Sequence, residues 1–444
     1  MSSPTTSRPT LASFWHDLPR EGKLLLSVVA FEFIGTGLVM PFWVVYLHEV
    51  RNFSLSDTGL LLGVPPLAGF IAVGPGGSLI DRFGGRRVLI ASLFAIGTGE
   101  LVMAFASTRP LAAVGLMLNG IAFGMSWPAA NTLVSSVVSS DIRQRYFGVN
   151  FTLLNLGIGI GGVIGGFFVD VDRLITFQTI YLVDAASYLP ALFLLLVPLR
   201  HLTGRAQHDP DTADEKVSYL AVLRRPAVLP LTVLTFVSAF VGYAQLNTGM
   251  PAYARVIGEV STRGLGFAFA ANTLVIVLLQ LVVLKRIEGR RRTRVVAVMG
   301  FIWAGSWLCL GAAGLVPGTL GATLLVAACA SVFALGETLL QPTIPAMVND
   351  LAPDHLRGRY NALSAGSFQL ASVIAPPIAG ALIGHGHGNI WILSLIVGCA
   401  VVGVLAIGDL ERHLPESVNG IRPQPDDVAR PPAPVTSSPL DTLG

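Results

Sequence analysis

The chain is short of charge. Of its 444 residues only 12% are Asp, Glu, Lys or Arg, against 52% hydrophobic, and the mean hydropathy is +0.67. A soluble domain carries roughly twice that share of charge, so a soluble enzyme or binding module is excluded. Cysteine is scarce too. Cys309, Cys329 and Cys399 all fall inside apolar runs, which excludes a disulfide framework and a thiolate metal site. No stretch reads G-x-x-x-x-G-K-[ST], H-E-x-x-H or G-x-S-x-G. The sequence therefore offers no cradle for ATP phosphates, no zinc-protease helix and no serine elbow, and neither enzymatic activity nor a bound cofactor is expected. Residues 1–22 are polar, and the first apolar run is long enough to stay as an anchor rather than be cleaved as a leader.

What fills the chain instead is apolar runs of about 20 residues, each enough to cross ~30 Å of hydrocarbon. The runs fall at 24–46, 59–79, 88–106, 111–138, 148–169, 177–198, 227–252, 264–284, 295–314, 319–348, 361–383 and 390–408. The expectation is an all-α membrane protein with twelve transmembrane helices. Its parts are a tail (1–22), a six-helix bundle (23–199), a hydrophilic linker (200–226), a second six-helix bundle (227–410) and a disordered Pro- and Ser-rich tail (411–444).

Positive charge is sorted across this pattern. With the N-terminus inside, 24 of the 29 Lys and Arg lie on the cytoplasmic side, and only Arg51, Arg109, Arg173, Arg255 and Arg263 lie on the other. Short loops that carry Lys and Arg stay in the cytoplasm, so both termini are expected inside a multi-pass cell-membrane protein. The basic pI of 8.9 follows from this sorting, and nucleic acid is not an expected partner.

Two stretches 214 residues apart repeat one another. Pro128 is followed by Val134 and Arg143-Gln144-Arg145-Tyr146; Pro342 is followed by Val348 and Arg357-Gly358-Arg359-Tyr360 at the same distances. A duplicated helix-loop-helix in so apolar a chain points to a transporter of two related halves with its cavity between them. Asp141 and Asp354 precede the arginines and could pair with them; equally, the repeated Arg-x-Arg-Tyr could be a plain charge anchor for two helix ends.

Between the second and third runs stands Gly77-Ser78-Leu79-Ile80-Asp81-Arg82-Phe83-Gly84-Gly85-Arg86-Arg87. This resembles the cytoplasmic signature of the major facilitator superfamily, G-x-L-a-D-R-x-G-R-R, with Gly85 in place of a basic residue. The resemblance covers residues 23–410 and is nearest to the drug:proton antiporter branch. It implies two pseudo-symmetric six-helix bundles and a gate motif of Gly77, Asp81, Arg82, Gly84, Arg86 and Arg87. In that motif Asp81 docks on the N-terminus of span eleven near Asn361; the alternative is a solvated, positive-inside turn. The corresponding Lys285–Arg292 loop keeps the basic charge but lacks the glycine-aspartate core, so the latch would be one-sided.

Span five carries Gly157, Gly161, Gly162, Gly165 and Gly166 in the register of the superfamily's antiporter signature, G-x-x-x-G-P-x-x-G-G, with Gly162 where the proline stands. Ala371, Ala375, Pro376, Ala379 and Gly380 form the counterpart in the second half. Small residues at this spacing also let helices pack backbone to backbone, a reading that needs no antiport. The superfamily's span-four arginine would stand four residues before Gly120, where this chain has Leu116.

Four acids lie within spans: Glu32, Glu100, Asp184 and Glu337. An ionised carboxylate at mid-bilayer costs at least ~2.5 kcal/mol, and no Lys or Arg lies deep in any span, so a functional role such as proton binding is expected. By the resemblance, spans one, four, seven and ten line the cavity, which makes Glu32 and Glu337 the proton-coupling candidates. At 1.5 Å per residue, Glu32 lies ~13 Å from the start of its span and Glu337 ~20 Å from Asp350, both near mid-bilayer. Glu100 and Asp184, on spans three and six, are expected to serve first in helix–helix hydrogen bonding. Phe31, Phe33, Asn119, Trp127, Asn131, Tyr243, Gln245, Asn247 and Gln341 are the substrate-cavity candidates, a mostly apolar set that suits amphipathic or cationic small molecules. His385 and His387 have no third ligand nearby and are read as a turn, so no metal is expected.

The function expected is secondary active transport, powered by the proton motive force rather than a cofactor: proton-coupled export of small amphipathic or cationic compounds by alternating access, as a monomer in the bilayer. A metabolite carrier of the same fold without obligatory proton coupling is the alternative. A transport-dead receptor or scaffold would need the long sensory loops that this chain lacks.

Overall fold

A computed structural model of the chain describes residues 11–204, 218–287, 289–353 and 356–420. Among these residues there is no strand, and twelve helices are long and apolar enough to cross a membrane. They are Arg20–Val50, Leu55–Ile80, Gly85–Phe105, Arg109–Val137, Tyr146–Phe168, Leu174–Leu196, Val228–Asn247, Thr262–Gln280, Arg292–Ala313, Leu320–Leu351, Arg359–Gly384 and Gly388–His413, numbered here as spans one to twelve. Each overlaps one of the twelve apolar runs read from the sequence.

Where a span departs from a straight helix, the sequence supplies the cause. In span one, Pro41 cannot donate a backbone hydrogen bond, and the helix tightens to a 3-10 turn at Met40–Phe42 before continuing. Span two starts on Ser54, whose hydroxyl accepts the Asp57 N–H at 3.1 Å and caps the helix. Span seven is interrupted twice, at Gly242 and at Thr248, and resumes as Gly249–Val256. At the first break Gly242 lies so close to the Trp303 ring that a Cβ would overlap it.

Spans one to six and seven to twelve form two bundles. They meet chiefly along two seams, span five on span eight and span two on span eleven. Exchanging corresponding spans of the two halves, five for eleven and eight for two, turns one seam into the other, as a two-fold relation between the halves requires. Both seams are built from small residues. Gly162 and Gly166 of span five face Gly266 of span eight, and Gly59 of span two lies against the Pro376 carbonyl and Gly380 of span eleven. Lipid gives apolar side chains no reason to leave it, so close backbone approach is what holds such seams together. The second half encloses the larger aromatic core, with Trp303 stacked on Phe333 at 4.5 Å and donating its indole N–H to the Phe333 carbonyl at 3.0 Å.

The C-terminal segment differs from the expected disorder at its beginning. Residues 411–413 are helical, and Asn419 is buried, its side-chain oxygen accepting the Thr293 N–H at 3.0 Å while Arg291 pairs with Glu411 at 2.6 Å. The rest of that tail, 421–444, lies outside the described residues, as do 205–217 of the linker. On the other side of the linker gap, Tyr219–Leu223 is a short helix, and within the N-terminal tail Leu11–Asp17 is another.

Candidate functional site

Between the bundles lies a cavity of about 430 Å³. Its wall on span one is the stripe Leu25, Val28, Val29, Glu32, Phe33 and Thr36, residues three or four apart that share one helical face. Span four contributes Asn119, Phe123, Trp127 and Asn131 at a strict four-residue spacing. Tyr243 and Asn247 come from the interrupted part of span seven, and Phe368, Gln369 and Ser372 from span eleven. Among the described residues no Lys, Arg or His lines the cavity, whereas three carboxyl groups do: Glu32, Glu100 and Asp184.

The placement of the candidate residues differs in part from the sequence reading. Phe33, Asn119, Trp127, Asn131, Tyr243 and Asn247 line the cavity. Phe31 does not; it is 64% exposed on the outer face of span one, because at 100° per residue the neighbours of Glu32 cannot all point inward. Gln245 is fully buried beside Gly249 and Trp391, away from the cavity, because the break at Gly242 turns that residue toward span twelve. Gln341 is not on the wall but donates to the Tyr243 hydroxyl at 2.7 Å and so holds that ring in place.

The four acids are also redistributed. Glu32 faces the cavity as expected of a residue on span one. Glu337 does not reach it. It is buried behind Tyr243, where Asn272 of span eight donates to its Oε2 at 2.7 Å and the Tyr243 hydroxyl is in hydrogen-bonding contact with it. Glu100 and Asp184, expected on the supporting spans, reach the cavity wall between spans one and four. Glu100 does take part in helix–helix bonding, accepting from Asn119 at 2.8 Å. Asp184 accepts from Tyr188, and the Ser187 hydroxyl lies 3.4 Å from both the Asp184 carboxylate and the Glu32 carbonyl. Asn272, Phe123, Tyr188 and Phe368 went unnoticed in the sequence. Phe123 was recoverable from the four-residue stripe, and Asn272 from being one of two amides, with Gln280, in an apolar span.

The two ends of the cavity differ. On the side away from the basic loops, the tip of span one is tied to the continuation of span seven: Arg255 donates through Nε to Glu49 Oε1 at 2.7 Å, with a second bond from its terminal nitrogen to the other carboxylate oxygen. The same guanidinium donates to the Val260 carbonyl at 2.6 Å. Both side chains are largely shielded, with 14% exposure for Arg255 and 25% for Glu49. Toward the basic side the span-two seam reaches Gly69 beside Gln369 and Phe70 beside Gly366. The cavity is thus bridged by an ion pair at the Glu49–Arg255 end.

Around those loops, Gly84 ends span two's helix with φ 85°, a conformation that glycine adopts freely. Arg86 donates to the Leu195 carbonyl at 2.8 Å, tying the turn to span six, while Arg87 is exposed and Arg82 stacks over Phe83. The side chains of Asp81, Asp141, Arg143, Arg145 and Arg357 lie outside what is described, and so does Asp354, so neither the Asp81 latch nor the loop ion pairs are visible. Asn361 donates to Asn349 at 2.8 Å. The two repeated tyrosines, Tyr146 and Tyr360, are both buried.

The span-five glycines serve two neighbours. Gly157, Gly161 and Gly165 face Ala30, Ile34 and Leu38 of span one, where a Cβ would overlap backbone, whereas Gly162 and Gly166 turn toward span eight. The run therefore packs a wall helix and a seam at once. Leu116, in place of the superfamily's span-four arginine, is buried.

Comparisons with known proteins agree with this geometry. The family profile described as Major Facilitator Superfamily matches residues 25–320 and 258–438. The uncharacterised MFS-type transporter YttB of Bacillus subtilis is 25% identical over 391 residues, covering 86% of this chain and 92% of YttB. The class B tetracycline resistance protein of Escherichia coli is 24% identical over 391 residues, 86% of this chain and 94% of that protein. The quinolone resistance protein NorA of Staphylococcus aureus is 26% identical over 208 residues, 47% of this chain and 53% of NorA. Among solved structures, the nucleoside transporter NupG superposes with a TM-score of 0.70 at 11% identity, covering 88% of this chain and 99% of NupG, a likeness of fold.

Proposed function

Because the chain belongs to the Major Facilitator Superfamily, we propose that it exports small amphipathic cations from the cytoplasm in exchange for protons, by alternating access. The observation that carries this reading is the composition of the cavity: the carboxyl group of Glu32, aromatic faces from Phe33, Trp127, Tyr188, Tyr243 and Phe368, and no basic side chain among the described residues. Such a site attracts a cation through carboxylate charge and ring faces, and repels an anion. The resistance titles of two relatives support export of drug-like compounds.

On this reading the basic loops face the cytoplasm, following the positive-inside bias, and the cavity is open inward. A cation enters beside Glu32 and is stabilised only while Glu32 is ionised. When the halves rock and the Glu49–Arg255 contact parts, the cavity meets the outside, where a proton neutralises Glu32 and weakens the hold on the cation. Only this difference in affinity between protonation states lets the proton drive the cycle. Exchange of one proton for one monovalent cation moves no net charge, so the pH difference drives it, and one pH unit supplies ~1.4 kcal/mol, enough for about tenfold accumulation.

Reconstituted protein and a cationic probe, tetraphenylphosphonium, provide the test. Proteoliposomes with an acidic interior should accumulate the probe, and Glu32→Gln should cut that accumulation at least tenfold. Probe counterflow that proceeds equally with and without a pH gradient, and no gradient-driven accumulation, would point instead to an uncoupled carrier and overturn the proposal.

A further inference from the structure

Behind Glu32 the cavity wall holds a second group of titratable residues that the cycle above does not use. Glu100 on span three and Asp184 on span six are 4% and 2% exposed, and their carboxyl groups are close enough for their charges to repel. Asp184 also feels the charge of Glu32. The groups around them come from every packed element. Asn119 of span four bonds Glu100. Tyr188 and Ser187 of span six bond Asp184, and Thr36 of span one lies 3.4 Å from the Tyr188 hydroxyl. Tyr181 of span six lies within electrostatic reach of both acids and of Tyr46.

Among the described residues the cation whose field reaches this group is Arg51, and it is engaged elsewhere: it donates to the Tyr46 hydroxyl at 2.8 Å and to the Ala104 carbonyl at 3.0 Å. Three buried polar atoms in the group have no hydrogen-bond partner: Glu100 Oε2, Asn119 Oδ1 and the Tyr181 hydroxyl. A pair of acids retained only to join helices would satisfy its oxygens. Here one carboxylate oxygen is left without a donor, and the Tyr181 hydroxyl, within electrostatic reach of it, is left without an acceptor. That is the arrangement of a site that gains and loses a proton.

We propose that Glu100 and Asp184 hold the coupling proton as a pair and that Glu32 exchanges it with the cavity. Two carboxylates whose charges repel, in an apolar wall and bonded to no cation among the described residues, do not both ionise, so the pair alternates between doubly protonated, with no charge, and singly protonated, with one negative charge. Transfer breaks one carboxyl O–H bond on the pair and forms one on Glu32, and the total charge of the three groups is unchanged. Glu32 then releases that proton to water on the cytoplasmic side, and the pair takes its next proton from water admitted on the outer side. Tyr46, whose ring centroid lies 4.7 Å from that of Tyr181, and Arg51 mark that outer side.

The inference rests on the proton-coupled reading, and the experiment separates the two. Wild type, Glu100→Gln, Asp184→Asn and the double variant are reconstituted, and tetraphenylphosphonium is followed in two assays: counterflow without a pH gradient, and accumulation driven by one. The double variant is expected to keep counterflow within twofold of wild type and to lose at least tenfold in gradient-driven accumulation. If it does not elute as a single species, Glu100→Gln alone is read by the same criteria, since the amide can still meet Asn119. Undiminished accumulation in these variants overturns the inference while leaving export intact. Loss of counterflow together with accumulation assigns the pair a structural role and overturns it as well. A wild type that shows counterflow without gradient-driven accumulation overturns both readings.

Discussion

Replacing Glu49 by Ala should unlock the bridged end of the cavity. In the structure Arg255 makes two hydrogen bonds to Glu49 and one to the Val260 carbonyl, so the variant keeps one of three hydrogen bonds for a guanidinium that is 14% exposed. Exposed ion pairs are worth about 0–1 kcal/mol, and removing one partner of a fully buried pair costs about 3–5 kcal/mol. With Glu49 at 25% exposure this pair falls between, at ~2 kcal/mol, and on the proposed cycle all of it is lost from the state in which the two tips meet. By the tenfold-per-1.4 kcal/mol rule, the outward-open population should then rise roughly thirty-fold. A cysteine introduced at Trp43, a residue of the cavity wall near this end, would report the change through its rate of alkylation by an impermeant reagent from outside. The exchanged pair Glu49→Arg with Arg255→Glu should bring the rate back toward wild type. An alkylation rate in Glu49→Ala within twofold of the parent would refute the assignment of this contact as the outer latch.

Gly161→Val should destabilise the first bundle, because a Cβ there overlaps the Ile34 carbonyl of span one; a lowered unfolding midpoint, equivalent to about 1–3 kcal/mol, is expected. Glu337→Leu should also lower the midpoint, since it removes the shorter of the two hydrogen bonds that the buried Asn272 amide donates, leaving only the Ala330 carbonyl, at a cost of about 1–3 kcal/mol, whereas Glu337→Gln should stay near wild type. In transport, Glu337→Gln should reduce gradient-driven accumulation less than Glu32→Gln does, because Tyr243 stands between Glu337 and the cavity; equal losses would contradict that placement. Tyr243→Phe removes the hydroxyl that Gln341 and Glu337 share, and should weaken binding of tetraphenylphosphonium several-fold while the unfolding midpoint changes little.

Much of this was legible in one dimension. The number of spans and the family follow from composition and from motifs such as Gly77–Arg87, because a bilayer imposes its thickness on every segment separately. The repeat of Pro128–Tyr146 in Pro342–Tyr360 announced the two halves. The site was legible only in part. Glu32 and the stripe of Asn119, Trp127 and Asn131 could be found because a regular helix carries its facing in its spacing. Gln245 was misplaced because span seven breaks at Gly242, and spacing says nothing once the helix is interrupted; Glu337 is on the continuous helix of span ten, and its spacing does not reveal that Tyr243 of another span covers it.

The sequence alone therefore determined how the chain divides into apolar crossings and where its positive charge collects, since both depend on the free energy of transferring local segments. The tertiary structure decided which acids share a wall. Glu100 and Asp184 are 84 positions apart and on different spans. Only the rotation of each helix about its axis, set by glycine contacts with its neighbours, brings them together with Glu32 while Glu337 stays behind Tyr243.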